Sequence, residues 1–253
     1  MTSFTPPFIP LNELDQHLSN VGFGLLNPQA FFKLTNHTQE EWDLLKKSWN
    51  ELPPDNYLKD GGRYRKRRHA SVIIHSDSIE QAPHRPHWQP VSYNALHGGI
   101  DRWFEPCEKY FLSSPNLNSL LTNLAHIFWK NKGINPQNHP WFVEVHQFRI
   151  DTKDGIGRPT PEGAHRDGVD FVAVLLVDRK NIKGGESRIF LADQAQGQRF
   201  TLDQSWSLVL LDDLKIIHET TPIQPIQPEE TENSWRDTLV LTFRLNNFQD
   251  KVA

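Results

Sequence analysis

Residues 163–170 read GAHRDGVD, and in an extended chain His165 and Asp167 fall on one face while Arg166 points to the other. An imidazole beside a carboxylate is two-thirds of a metal site. A second imidazole is available at His218, in KIIHETTPI, a late strand that a double-sheet barrel can bring against His165. Two neutral imidazoles and one carboxylate on one face of an octahedral ion leave three positions open, the arrangement used for Fe(II) in oxygen-activating chemistry. An H-x-D triplet alone is more often a polar turn. Here it is joined by Arg236, beyond His218 and followed at i+2 by Thr238 on the same strand face. A guanidinium fork binds a carboxylate bidentately and a neighbouring hydroxyl adds a hydrogen bond; the plainer alternative pairs Arg236 with Asp237 or with solvent. Charge ties the set together: a divalent ion, Asp167 and a bound dicarboxylate leave one negative charge, which a buried arginine neutralises.

The elements that must position these residues change character along the chain. LNELDQHLSNV (11–21) and TQEEWDLLKKSWNEL (38–52) have helical spacing, GFGLLN (22–27) reads as a strand, and a long helix is expected over about 102–131, with Leu120, Leu121, Leu124 and Phe128 on one buried face. From 141 onward the pattern becomes eight short β-rich runs: WFVEVHQFRI, GAHR, DFVAVLLV, ESRIFLA, QRFTL, WSLVLLDD, KIIHETTPI and RDTLVLTFRL. Gly184-Gly185 is read as a tight turn joining two of them. No helical pattern separates the strands, which excludes a parallel βαβ sheet and leaves a sandwich or jelly-roll barrel. The expected fold class is α+β, mainly β. The expected organisation is a single domain over 1–253, with an α-rich part over 1–140 and a jelly-roll core over 141–250.

A net charge of −4 gives no global reason to expect nucleic acid or an anionic membrane as partner. No apolar run approaches the roughly 18 residues needed to span a bilayer. One cysteine, Cys107, cannot form an internal disulfide, and the start MTSFTPPFIPLNEL has no signal-peptide pattern, so a cytoplasmic protein is expected.

The run GxPTPEGxHRDG (Gly157–Gly168), a later GGES, the histidine of IIHETTPI and WRDTLVLTFR together resemble the Fe(II)/2-oxoglutarate dioxygenases of the bacterial L-isoleucine 4-hydroxylase type. The likeness is close over about 141–246 and loose before that. It implies a double-stranded β-helix (jelly-roll, cupin-like) fold, His165, Asp167 and His218 as iron ligands, and Arg236 on the distal carboxylate of 2-oxoglutarate. It also implies hydroxylation of an unactivated C–H of a free L-amino acid or similar small acid with release of succinate and CO2, using Fe(II), 2-oxoglutarate and O2, with ascorbate as reductant. Relatives linked to stress and biofilm phenotypes share the pattern, so membership does not fix the substrate. With Asp167 in the ligand set there is no vacancy for a halide, which disfavours a halogenase.

In GGRYRKRRHA (61–70) the relatives' R-x-R falls on Arg65 and Arg67, candidates for the substrate carboxylate; the alternative is a solvated strand edge. In VEVHQFRI, Gln147 and Arg149 share a strand face and are candidates for the 2-oxoglutarate and substrate pocket, against a polar outer face. His146, on the other face, reads as a structural histidine. Trp88, Trp103 and Trp141 are candidate pocket walls or core, and Arg244 is the reserve clamp for Arg236. Competing readings are a nucleic-acid-directed dioxygenase gripping phosphates with the basic run, a non-catalytic metal- or ligand-binding stress protein, and a zinc hydrolase.

Overall fold

The computed structural model describes residues 5–194 and 196–251. Helix α1 (Leu14–Val21) closes on Gly22, whose φ of 85° is the left-handed conformation a helix end uses, and the chain enters β1 (Phe23–Leu26). Next come α2 (Pro28–Thr35) and α3 (Gln39–Asp43), the latter opened by a capping box between Thr38 and Glu41. The helix expected over 38–52 stops at Asp43 and resumes as a 3-10 turn, Lys46–Trp49. This lets Trp42 pack on Phe31 and Trp206 while Trp49 packs on Phe111.

Strands β2 (Arg65–Ile74) and β3 (Ile79–Gln81) follow, then α4 (Lys109–Leu112) and α5 (Pro115–Lys132). The long helix thus starts later than its periodicity suggested. Backbone bridges hold Arg102 to His87 of a neighbouring loop and Pro106 to His69 of β2, and Ser114 with Pro115 at the first helical position sets the start of α5. Leu120, Leu121, Leu124 and Phe128 are buried as expected.

The remaining strands are β4 (Trp141–Asp151), β5 (Phe171–Lys180), β6 (Ile182–Gly184), β7 (Glu186–Leu191), β8 (Gly197–Thr201), β9 (Leu208–Asp212), β10 (Ile216–Thr220), β11 (Ile223–Pro225) and β12 (Trp235–Leu245). A seven-stranded sheet runs β1-β9-β5-β12-β4-β2-β3, and β10-β7-β8 with β11-β6 form the smaller side. Every ladder is antiparallel. The fold is α+β, mainly β, and jelly-roll-like. One face of the large sheet packs on the helices, where Phe128 stacks on Phe171 at 4.2 Å and meets Phe243 edge-on at 4.8 Å. The other face packs Val172, Leu176, Val209 and Leu211 against Ile189, Phe200 and Ile216 of the small side.

Three details depart from the sequence reading. The large sheet crosses the boundary expected near residue 140, since β1, β2 and β3 join the later strands in it. GAHR forms an isolated bridge, His165 to His218, and no ladder, because Gly163 and Gly168 (φ 79° and 77°) turn the chain on either side. Gly184-Gly185 joins strands that pair with different partners, β6 with β11 and β7 with β10, so it switches the chain between ladders and is not a hairpin turn. Among the described residues no helix is long and apolar enough to cross a membrane. Cys107 is free and buried, and burial pushes its thiol up to about 12.

Candidate active site

His165 and His218 are tied through their backbones: each amide N–H donates to the other's carbonyl, at 3.0 and 2.9 Å, which sets the two rings 4.7 Å apart. The carbonyl of Gly163 lies 2.9 Å from His165 Nδ1 and takes its proton, leaving Nε2 free as a lone-pair donor. His165 Nε2 is 3.9 Å from Asp167 Oδ1 and His218 Nε2 is 3.7 Å from Asp167 Oδ2. The three residues offer donor atoms within 4.8 Å of one another. Burial drives His218 down to about 3, holding it neutral; at His165 burial acts the same way, but the Asp167 and Glu162 carboxylates outweigh it and raise the ring.

Asp167 is aimed by residues that motif reading missed. The Asp213 carboxylate accepts the backbone N–H groups of Asp167, Gly168 and Val169 at 3.1, 2.8 and 3.1 Å, and Gln89 Nε2 donates to Asp167 Oδ1 at 3.2 Å. Burial and the Asp167 charge push Asp213 up, against the pull of its three amide donors.

A cavity adjoins these residues. Its lining includes Arg236 and Thr238 on β12 with Thr160, Thr220, Val174 and Val240. Arg236 is 4% exposed and its Nε has no partner; burial and the neighbouring Arg179 bring it down to about 10. The same lining includes Arg65, Arg67, Arg102, Gln89 and Phe148. Arg65 Nε donates to Asp55 at 2.7 Å and Arg102 Nη2 to Gln89 Oε1 at 2.9 Å. The Arg67 guanidinium lies 3.7 and 4.4 Å from the Phe104 and Phe148 rings, with Nη2 donating to His146 Nδ1 at 2.7 Å. Arg65 Nη2, Arg67 Nε and Arg102 Nε are buried without a partner. Three orphaned cationic donors converging on one space are a seat for an anion.

The candidates divide by strand face. Arg65 and Arg67, and Arg236 and Thr238, line the cavity. Gln147 and Arg149 do not: the face of β4 that carries them lies under the helices, where Gln147 donates to Ser48 Oγ at 2.7 Å and Arg149 grips Asp237 at 2.7 and 2.6 Å. The inward residues of β4 are His146, Phe148 and Ile150, so His146 faces the cavity it was expected to avoid. Trp141 is core beside Phe128 and Phe171, Trp103 is exposed, and Trp88 is absent from the lining. Arg244 bonds to Asn247 and to the Phe248 carbonyl, outside the cavity. Arg102 lay in a segment read as helix, so no periodicity could direct it to the pocket.

The family model described as 2OG-Fe dioxygenase matches residues 46–242. A bsmA homologue from Methylobium petroleophilum PM1 is similar over the whole of both chains, with 45% identity and a TM-score of 0.91. The structure of IDO from Bacillus thuringiensis is similar over 94% of this chain and 100% of its own, at 19% identity and a TM-score of 0.74. The Fe(II)/α-ketoglutarate-dependent dioxygenase TqaL is similar over 94% and 91%, at 16% identity and 0.70. These last two show a shared fold. No curated protein matches the sequence significantly.

Proposed function

Because the chain belongs to the 2OG-Fe dioxygenase family, we propose that it hydroxylates an unactivated C–H of a free L-amino acid or similarly small acid, releasing succinate and CO2. It is an enzyme that uses Fe(II), 2-oxoglutarate and O2. The residues fit these groups: the donor set of His165, Asp167 and His218 suits Fe(II), and the unpartnered Arg236 Nε suits a dicarboxylate end. Bound iron with 2-oxoglutarate and dioxygen supplies the oxidising power.

The protein's part is placement. His165, Asp167 and His218 would hold the iron, with Gly163 fixing the His165 tautomer and Asp213 and Gln89 holding Asp167 in place. Arg236 and Thr238 would take the distal carboxylate of 2-oxoglutarate. Arg65, Arg67 and Arg102 would take a carboxylate of the substrate. That second seat, carried by β2 and separated from Arg236 on β12 by the single strand β4, is the observation that carries the reading. Holding both acids by their carboxylates would limit how the substrate can turn in the cavity that His165, Asp167 and His218 also line.

The basic run does not favour a grip on nucleic acid. Arg65 and Arg67 are buried against Asp55, while Arg63, Lys66 and Arg68 pair with Asp154, Asp151 and Glu108. A phosphate-binding surface needs cations it can present.

The test is succinate formation by iron-loaded protein with 2-oxoglutarate, ascorbate and air across the free amino acids. A rise with one class and a product one oxygen heavier is expected. Turnover of 2-oxoglutarate that no amino acid stimulates would overturn the substrate class and leave the family chemistry standing.

A further inference from the structure

A second cluster lies on the inner face of the large sheet. It consists of His69 on β2, Glu144 and His146 on β4, and His87 from the loop bridged to Arg102. Their donor atoms also lie within 4.8 Å of one another. The ring separations are 4.9 Å for His69–His146, 4.8 Å for His87–His146 and 5.6 Å for His69–His87, close to the 4.7 Å of His165–His218. All four side chains are buried, and the cluster is under-bonded. Neither ring nitrogen of His69 has a hydrogen-bond partner, nor does Glu144 Oε1. Orphaned polar atoms at that depth point to a missing binding partner.

The tautomers narrow the ligand set. A guanidinium only donates, so His146 Nδ1 accepts from Arg67 and the neutral ring keeps its proton on Nε2, which faces Glu144 Oε2 at 3.8 Å. His146 therefore braces the carboxylate and is not a ligand. His69 Nε2 stands 3.4 Å from Glu144 Oε1 and His87 Nδ1 2.8 Å from Oε2. With bonds of about 2.0–2.1 Å, each separation is one that two ligands of a shared ion span, His69 beside Oε1 and His87 beside Oε2 of a carboxylate that binds through both oxygens. We propose that His69, His87 and Glu144 form a second divalent-metal site of zinc type, separate from His165, Asp167 and His218, with His146 and Arg67 behind the carboxylate.

Two features support it. The Glu144 carboxylate accepts from His87 Nδ1 at 2.8 Å, so a bound ion would take the place of that proton between the same two atoms. Two of the three guanidiniums around the cluster have other carboxylates: Arg67 has Asp55, and Arg85, 3.5 Å from Glu144 Oε1, also reaches Asp250 and the Gln249 carbonyl, while Arg102 bonds to Gln89. The site borders the proposed substrate seat, sharing Arg67 and the cavity wall at His87 and His146 with it, but a count of bound metal does not depend on which substrate that seat takes.

The test counts metal on the full-length chain. In a His165→Ala/Asp167→Ala/His218→Ala variant, zinc titration followed by elemental analysis is expected to leave about one ion per chain, and zinc is expected to raise its thermal midpoint. Adding Glu144→Gln or His69→Asn is expected to abolish both. His69→Asn is the milder change, because it removes a ring that has no hydrogen bonds, and it stands alone if Glu144→Gln does not fold. A triple variant that binds no zinc, or whose zinc survives His69→Asn, overturns the proposal.

Discussion

Arg236 is a buried cation with an unpartnered Nε, and such a group is costly until an anion completes it. If 2-oxoglutarate is that anion, Arg236→Ala loses a charged hydrogen bond of about 1.5–3 kcal/mol and raises the apparent 2-oxoglutarate requirement at least about tenfold. Titration of succinate formation against 2-oxoglutarate reads this directly, and an unchanged requirement would move the clamp elsewhere. Asp213 touches no substrate in this scheme; it holds the backbone of Asp167. Removing such support typically weakens metal binding about 10- to 100-fold. Asp213→Ala is therefore expected to lower iron affinity in an anaerobic titration while the helical circular dichroism is kept, and wild-type affinity would refute the positioning role.

Strands β4 and β12 mark where sequence reading stops. H-x-D, the distal histidine and R-x-T could be picked out because the iron chemistry calls for those residue types, even though H-x-D lies in a glycine-flanked bridge and not in a strand. The inward face of β4 was not legible, since both faces are buried: Val143, Val145 and Gln147 lie under the helices, and Glu144, His146 and Phe148 lie toward the cavity. Polar residues on both faces of a doubly covered strand remove the alternation that tells inside from outside. Arg102 and Gln89 were hidden for another reason, because irregular segments joined by one backbone bridge carry no period. Helix α5 is where the sheet gains its backing. Phe128→Ala, deleting a ring stacked on Phe171, is expected to cost about 3–5 kcal/mol in urea unfolding. A loss below about 1 kcal/mol would mean that the core closes over the gap.

Across the whole molecule, His69, His87, His146 and His218 are held below the usual imidazole range by burial. Each takes its proton first in the unfolded chain, so its contribution is complete above about pH 6.5 and is lost as pH falls toward the folded value. His165, Asp213 and Asp237 are raised and pull the other way, so a single-residue comparison is the cleaner measurement. With His87 at about 4, linkage gives it about 2 kcal/mol at pH 5 in metal-free protein. The loss of unfolding free energy from about pH 7 to 5 is expected to be smaller by about that amount in His87→Asn than in wild type. Equal losses would mean that His87 is not buried in neutral form. Cys107, sealed in the core with its thiol pushed up to about 12, has a consequence of another kind. Thiolates and thioethers are the first groups that peroxide attacks. A catalyst that handles dioxygen releases such oxidants whenever a turnover misfires, and this chain offers them one shielded sulfur and a single methionine, at its first residue. Self-inflicted damage is thereby steered away from sulfur and onto the aromatic rings beside the cavity, where wear after many uncoupled cycles would first be found by peptide mass mapping.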